Sequence, residues 1–263
     1  MTDPPTQRAE SADGTRIAYR RFGSGRPIVV VGGALSTAEA GGPLAAAFAE
    51  AGLQGVTYDR RGRGDSGDTA PYAPEREAED VRAVIDAVGD PAVILGHSSG
   101  AVLSLFAAAE GVPLTHLFLS EPPFRFGQNE PPADLADRLQ ALVDEGKNEE
   151  TVLLFLREDV GMPEPAIEQL RASPAFAGFV LLAQTTVYDN QLVASVSTPT
   201  AAMLGVDVPT TILRGDPTMP VIVTAVERLA AAMPGTDLVV VPESHDHGVD
   251  PAGTVREVRA RIG

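Results

Sequence analysis

Five consecutive residues carry the strongest chemical signal in the chain: Gly96-His97-Ser98-Ser99-Gly100. The apolar run 91–95 precedes them, and a helical pattern over residues 99–110 follows. A serine between two glycines at such a strand-to-helix junction is held in a tight turn at a helix N-terminus, where free backbone N–H groups favour a developing oxyanion. We therefore predict that Ser98 is a nucleophile and that the Ser99 N–H donates to the oxyanion. A serine that only caps the helix is the simpler interpretation.

Short apolar runs alternate with helical patterns at both ends of the chain, which predicts an α/β fold with a mostly parallel, doubly wound sheet. Residues 122–206 instead hold helical patterns interrupted by prolines, and we predict that they form a helical cap, or lid, on a core built from residues 1–121 and 207–263. The predicted strands are 16–22 (as an edge strand), 27–31, 55–58, 91–95, 114–120, 210–213 and 238–241.

A second motif lies ahead of the serine turn. Residues 58–67 read Tyr-Asp-Arg-Arg-Gly-Arg-Gly-Asp-Ser-Gly and resemble the D-x-R-G-x-G-x-S loop of the α/β-hydrolase family. The chain resembles that family over nearly all of its length, which implies its fold, with a helical cap inserted after the sixth strand, and a triad in the order Ser, Asp or Glu, His. The resemblance makes this loop mainly structural. A phosphate-binding loop is the alternative, but no Lys-Ser/Thr pair follows.

The resemblance places the catalytic base in the loop after the last strand, because a serine needs an adjacent base to attack a carbonyl. The chain has four histidines, His97, His116, His245 and His247, and only the last two lie in that loop. The stretch His247-Gly248-Val249-Asp250-Pro251 resembles the family's passage into its last helix. His247 is therefore the predicted base, and His245 is the alternative.

The acid departs from the family pattern. Its usual position, three residues beyond a glycine after the strand that follows the cap, holds Thr218 in this chain, and Asp216 comes two residues too early. The family's less common position, at the end of the strand before the cap, holds Glu121. We predict Glu121 as the acid that orients the histidine, with Asp216 as the alternative.

The second oxyanion donor is expected in the loop after strand 27–31. This chain has Gly32-Gly33-Ala34-Leu35 where the family often has His-Gly, and the match assigns the donor N–H to Ala34. A plain Gly-Gly turn is compatible with the same residues.

Composition limits the class of protein. The 263 residues, 44% of them hydrophobic, suffice for one domain with an insertion, and no apolar run reaches the roughly 18–20 residues of a membrane span. The absence of cysteine excludes disulfides and thiolate metal sites. The net charge of −16 disfavours binding to nucleic acid or anionic membranes. A cytoplasmic protein without metal or cofactor, acting on a small molecule, is expected, and its oligomeric state stays open.

These observations predict a hydrolase that cleaves a small or medium ester, lactone or thioester through an acyl-enzyme. Two alternatives remain because the acid is displaced. One is a cofactor-free lyase, epimerase or cyclase on the same fold, which needs a base and an oxyanion hole but no acyl-enzyme. The other is a catalytically silent binding protein, since a fold does not fix a function.

Overall fold

The fold is built around one eight-stranded sheet. A computed structural model describes residues 4–89 and 92–263, so that Pro91 of the predicted strand 91–95 lies outside the described residues. The strands are β1 (Gln7–Glu10), β2 (Arg16–Gly23), β3 (Pro27–Val31), β4 (Gln54–Tyr58), β5 (Val93–His97), β6 (His116–Ser120), β7 (Thr210–Gly215) and β8 (Asp237–Val241). Their order is β1-β2-β4-β3-β5-β6-β7-β8. β2 runs antiparallel to both neighbours, and the other neighbouring pairs are parallel.

Helices cover both faces of this sheet, which confirms the predicted α/β class. The central strands are apolar on both sides for that reason: β3 reads Pro-Ile-Val-Val-Val and is buried at every residue. The helices are α1 (Gly42–Glu50), α2 (Pro74–Val88), α3 (Ser99–Ala109), α4 (Leu135–Asp144), α5 (Asn148–Glu158), α6 (Glu164–Arg171), α7 (Phe176–Val180), α8 (Ala183–Ser195), α9 (Ala201–Leu204), α10 (Pro220–Ala232) and α11 (Pro251–Ile262).

Two hydrophobic cores lie on opposite faces of the sheet. On one face, Phe48 of α1 and Val258 of α11 pack with Ile28 of β3. On the other face, the larger core gathers side chains of α2, α3 and α10, and it includes Val84 and Leu103. The sheet is thus packed between two helical layers. The ends of its strands are therefore well-defined positions for the residues that follow them.

The segment between β6 and β7 carries the helices α4 to α9. Most of these helices share a third core, in which Leu139, Phe155 and Ile167 are buried together with Leu35 from the loop after β3. α8 also contacts α3, the helix that begins beside the serine turn. The segment therefore packs on the carboxyl ends of the strands.

The edge of the sheet differs from the prediction. Residues 16–22 do form a strand, but all four residues of β1 pair with the first half of β2. β2 is therefore an inner strand. β1 reads Gln-Arg-Ala-Glu and buries only Ala9, and it therefore has no apolar run that a sequence pattern could reveal. Among the described residues, no helix combines the length and apolarity needed to cross a bilayer.

Candidate active site

Ser98 occupies a sharp turn between β5 and α3. Its φ of 55° and ψ of −126° lie in a region that residues with a side chain rarely adopt. Glycine is required on both sides of this turn, because a Cβ at Gly96 would lie 2.4 Å from Ser104 Oγ and one at Gly100 would lie 2.3 Å from Val31 O. The sequence pattern and the strained turn have the same cause: helix α3 crosses very close to the ends of β3 and β5.

His247 stands between Ser98 and Glu121. Its Nε2 lies 2.9 Å from Ser98 Oγ, and its Nδ1 lies 2.5 Å from Glu121 Oε2. All three residues have positive φ, 55° at Ser98, 50° at Glu121 and 63° at His247. Strained backbone at three contacting polar residues is typical of a functional site. The geometry allows a proton to pass from the serine hydroxyl to the imidazole while the carboxylate stabilises the resulting cation.

Glu121 is buried, and its carboxylate accepts hydrogen bonds from three partners. Besides His247, the Gly215 N–H donates to Oε1 at 2.8 Å, and the Thr218 hydroxyl donates to Oε2 at 3.1 Å. Burial by itself would raise the pKa of Glu121, but the hydrogen bonds from His247, Gly215 and Thr218 outweigh burial and lower the pKa below its ordinary value. The carboxyl group is therefore ionised at neutral pH. Thr218, which occupies the family's usual acid position, thus donates to the carboxylate that is predicted to replace that acid.

The alternative base and acid lie elsewhere. His245 Nδ1 lies 3.0 Å from the backbone oxygen of Asp216, and both residues are exposed. Among the described residues, no hydrogen bond joins the Asp216 carboxylate to His245 or to His247. The backbone N–H of Asp216 donates to Ser244 O at 2.9 Å.

The other two histidines have structural surroundings. His116 Nε2 lies 3.0 Å from Thr211 Oγ1 on the neighbouring strand. His97 Nδ1 lies 3.3 Å from Ser120 Oγ, and its ring centroid lies 4.8 Å from that of His247. Burial and the neighbouring His247 lower the pKa of His97 to about 3, so that its imidazole is neutral.

The loop after β3 passes directly over the serine. A Cβ added to Gly33 would lie 2.9 Å from the Ser98 Cβ, which explains why this position is glycine. Ala34 follows and lines the same cavity as Ser98, Ser99 and His247. The first N–H groups of α3, including that of Ser99, have no acceptor within the helix. Both predicted oxyanion donors therefore belong to segments that border the Ser98 hydroxyl.

A small cavity opens at this point, with a volume of about 80 Å³. That is several times the roughly 10–15 Å³ that one water molecule needs. Its wall is mainly apolar, and only a few charged side chains reach it. The residues that line it beyond those already named are Pro123, Arg125, Phe155, Asp159, Val160, Asp189, Val193, Met219, Val221 and Ile222.

Comparison with known proteins identifies the family. The model of the alpha/beta hydrolase family matches residues 13–257. The chain belongs to this family. The proteins that it resembles include hydrolases.

Two relatives share substantial sequence with this hydrolase. A solved alpha/beta hydrolase from Sphaerobacter thermophilus is 42% identical, covers 96% of this chain and 98% of its own, and superposes with a TM-score of 0.89. N-formylmaleamate deformylase from Pseudomonas putida is 37% identical over 118 residues. That match covers 43% of this chain and 44% of the deformylase, less than half of either protein.

A more distant structure extends the likeness of fold. An N-formylmaleamic acid deformylase from another Pseudomonas putida strain covers 97% of this hydrolase and all of its own chain, with a TM-score of 0.67 and 20% identity. At that identity the likeness concerns the fold alone.

Sequence reasoning missed a buried charge cluster beside the site. Arg60 and Arg63 from the motif loop are both buried, and Asp189 of α8 forms ion pairs with each of them at 2.8 and 2.7 Å. Glu77 of α2 pairs with Arg60 at 2.6 Å. The signal was available in part, because arginines that directly follow a buried strand require buried acids as partners. The sequence could not indicate that one of those acids comes from the segment between β6 and β7.

Proposed function

We propose that this hydrolase cleaves its substrate through an acyl-enzyme formed on Ser98. One observation carries the proposal: the continuous hydrogen-bond chain from Ser98 Oγ through both ring nitrogens of His247 to Glu121. A neutral serine hydroxyl is a poor nucleophile, and this chain supplies the base that it needs.

The reaction proceeds in two halves. His247 takes the proton of Ser98 as the oxygen attacks the carbonyl carbon, and the Ala34 and Ser99 N–H groups receive the developing oxyanion. His247 then gives the proton to the leaving group, which departs and leaves the acyl group on Ser98. A water molecule, deprotonated by His247, attacks this ester, and the acid is released as Ser98 regains its proton. Glu121 holds the imidazole in the tautomer that both halves require.

A small or medium ester, lactone or thioester is the proposed substrate. The mainly apolar wall of the cavity suits an acyl group without charge near the scissile bond. The segment that carries α4 to α9, which we propose to be the lid, contributes Phe155, Val160 and Val193 to that wall. They would exclude water from the acyl-enzyme between the two halves of the reaction.

Hydrolysis of a small amide is a second candidate. It is favoured by the 37% identity over 118 residues to N-formylmaleamate deformylase, whose name describes removal of a formyl group. The same Ser98 mechanism serves an amide if His247 protonates the leaving nitrogen.

The case for the non-hydrolytic alternatives is weakened. They were raised because the acid is displaced, and Glu121 lies within hydrogen-bonding distance of His247 in spite of its displacement. The intact hydrogen-bond chain therefore removes that ground for preferring them to an acyl-enzyme.

Covalent labelling tests the proposal. A fluorophosphonate should modify the protein once, and mass spectrometry should locate the adduct on Ser98. Ser98→Ala should abolish labelling and the hydrolysis of 4-nitrophenyl acetate. Ser195→Ala serves as the matched control, because Ser195 is an exposed serine at the end of α8 and should change neither. An adduct on Ser99 or Ser66, or no adduct, would refute the assignment of the nucleophile.

A further inference from the structure

We propose that Arg63, held by Asp189, is a positioning residue that orients the oxyanion donor of Ala34. The proposal rests on the proposed acyl-enzyme mechanism. It concerns the buried charge cluster, which we define as Arg60, Arg63, Glu77 and Asp189. None of these residues is part of the hydrogen-bond chain from Ser98 to Glu121.

Arg63 grips the peptide unit that carries the donor. Its Nη1 lies 2.6 Å from the carbonyl oxygen of Gly33 and 3.2 Å from that of Ser36. The Gly33 carbonyl and the Ala34 N–H belong to the same trans peptide, in which they point in opposite directions. A guanidinium that fixes the carbonyl on one side therefore aims the N–H to the other side.

The Ser36 hydroxyl also donates to the Gly33 carbonyl, at 2.7 Å, and Arg63 adds a charged donor to a peptide that follows two glycines. Gly32 and Gly33 carry no side chain, and glycine tolerates nearly all backbone conformations. A rotation of the peptide plane would replace the Ala34 N–H by a carbonyl oxygen, which repels an oxyanion. A charged donor on the carbonyl opposes that rotation and also polarises the N–H, which strengthens its bond to a developing negative charge.

Asp189 holds the arginine and reaches the second donor as well. Its Oδ2 lies 2.7 Å from Arg63 Nη2, and its Oδ1 accepts from Arg60 Nη1 and from the Ser99 hydroxyl, both at 2.8 Å. Ser99 supplies the other proposed oxyanion N–H. One carboxylate therefore fixes both segments that carry donors, and its own exposure is only 1%.

The position of Asp189 in the chain couples the packing of α8 to the orientation of the oxyanion donors. It comes from α8, within the segment between β6 and β7, whereas the groups that it holds belong to the loop after β4 and to α3. Correct packing of α8 is thus a condition for correct aim of the donors. The Ser99 hydroxyl donates to Asp189, whereas the Ser98 hydroxyl lies beside His247.

Replacing the carbonyl oxygen of the substrate by sulfur provides the test. Sulfur accepts hydrogen bonds weakly, so that an enzyme with well-aimed oxyanion donors prefers 4-nitrophenyl acetate to its thiono analogue. Arg63→Lys keeps the charge but loses the fork that spans Gly33 and Asp189, and Asp189→Asn keeps the shape but loses the charge. Each variant should lower kcat for the oxygen ester by about 10-fold to 100-fold, below the roughly 10²–10³ of a deleted donor. Activity against the thiono ester should fall much less.

Arg61→Lys is the matched control. Arg61 lies in the same loop, is equally buried and pairs with Asp80 at 2.8 Å, but it contacts neither donor segment. It should leave the ratio of oxygen-ester to thiono-ester kcat/KM unchanged, with rates normalised to the folded fraction measured by circular dichroism. An unchanged ratio in both Arg63→Lys and Asp189→Asn would overturn the inference. If Ser98→Ala retained the activity of the unmodified protein, the mechanism itself would be wrong instead.

Discussion

A single carboxylate decides how the imidazole of His247 behaves. Replacing Glu121 by glutamine keeps its size but removes the charge that stabilises the imidazolium, and the amide can donate to the ring and so favour the wrong tautomer. We predict that Glu121→Gln lowers kcat for 4-nitrophenyl acetate by about 10³–10⁴-fold. Steady-state kinetics at neutral pH measures this loss.

The control for this prediction is Asp216→Asn, a change at the alternative acid. Because the Asp216 carboxylate is exposed and, in the part of the chain that the structure describes, makes no hydrogen bond with His247, kcat should stay within about twofold of the unmodified value. If Asp216→Asn were the damaging change and Glu121→Gln the harmless one, the acid would be Asp216, the alternative that follows the strand after the helical segment.

The two histidines of the last loop should differ by orders of magnitude. His247 is the histidine that contacts Ser98, whereas His245 contacts the Asp216 backbone at the surface. We predict that His247→Ala lowers kcat/KM by roughly 10⁴–10⁶-fold and that His245→Ala costs less than about tenfold. Equal losses would leave the base unassigned, and the reverse order would move it to His245.

At the scale of elements, the turn between β5 and α3 trades stability for reactivity. Backbone strain of the kind found at Ser98 costs about 1–3 kcal/mol, and glycine relieves it at an entropic cost of about 0.5–1 kcal/mol. We therefore predict that Ser98→Gly raises the free energy of unfolding by about 1 kcal/mol while abolishing activity. Ser98→Ala, which keeps the Cβ and hence the strain, should show no such gain in urea denaturation. A loss of stability in Ser98→Gly would mean that the turn is unstrained.

The elements of the sheet could be predicted because their signals are local. Strands buried on both faces are apolar throughout, as in Pro27–Val31, and α2 begins at a proline and is followed by Gly89. The strand Gln7–Glu10 could not be predicted, since only its pairing with β2 makes it a strand. The α/β class depends on the first kind of signal and is confirmed.

The candidate site divides in the same way. Ser98 is marked by its own neighbours, because glycines are needed where α3 crosses two strand ends. Contacts that join distant parts of the chain left no local mark. Thr218 supports Glu121 from 97 residues away, and Asp189 holds Arg63 from 126 residues away. The resemblance to a family supplied the long-range order of the predicted triad, and physical reasoning from the residues alone would not have done so.

At the scale of the whole molecule, stability should depend on pH in a way that individual groups reveal. The chain carries a net charge of −16, and partial neutralisation in mild acid reduces self-repulsion. Two groups of the site act in the opposite direction. The pKa of Glu121 is lowered, so its stabilising contribution is present above the ordinary carboxyl pKa and is lost as pH falls through the lower folded value. His97 acts earlier.

The imidazole of His97 has a folded pKa of about 3 against an ordinary value of 6.5. Between these two pH values the His97 imidazole binds a proton in the unfolded chain but not in the folded protein. The free energy of unfolding therefore falls as pH falls. We predict that the unmodified protein loses stability relative to His97→Asn between pH 6.5 and pH 4, by no more than about 1.4 kcal/mol per pH unit.

Comparison of the two proteins in urea denaturation at each pH cancels the effect of net charge, which they share. The asparagine amide takes the place of Nδ1 beside Ser120 and does not titrate. A pH-independent difference between the two proteins would show that His97 takes up its proton as readily when the protein is folded as when it is unfolded.

The position of Glu121, one residue before the helical segment begins, has a consequence for recombination between relatives. All three residues of the proposed triad, Ser98, Glu121 and His247, lie outside residues 122–206, so a chimera that exchanges this segment keeps every one of them. It does not keep Asp189. A foreign segment must therefore bring its own acid to meet Arg63, and chimeras that lack one should inherit a complete triad facing a poorly aimed oxyanion loop.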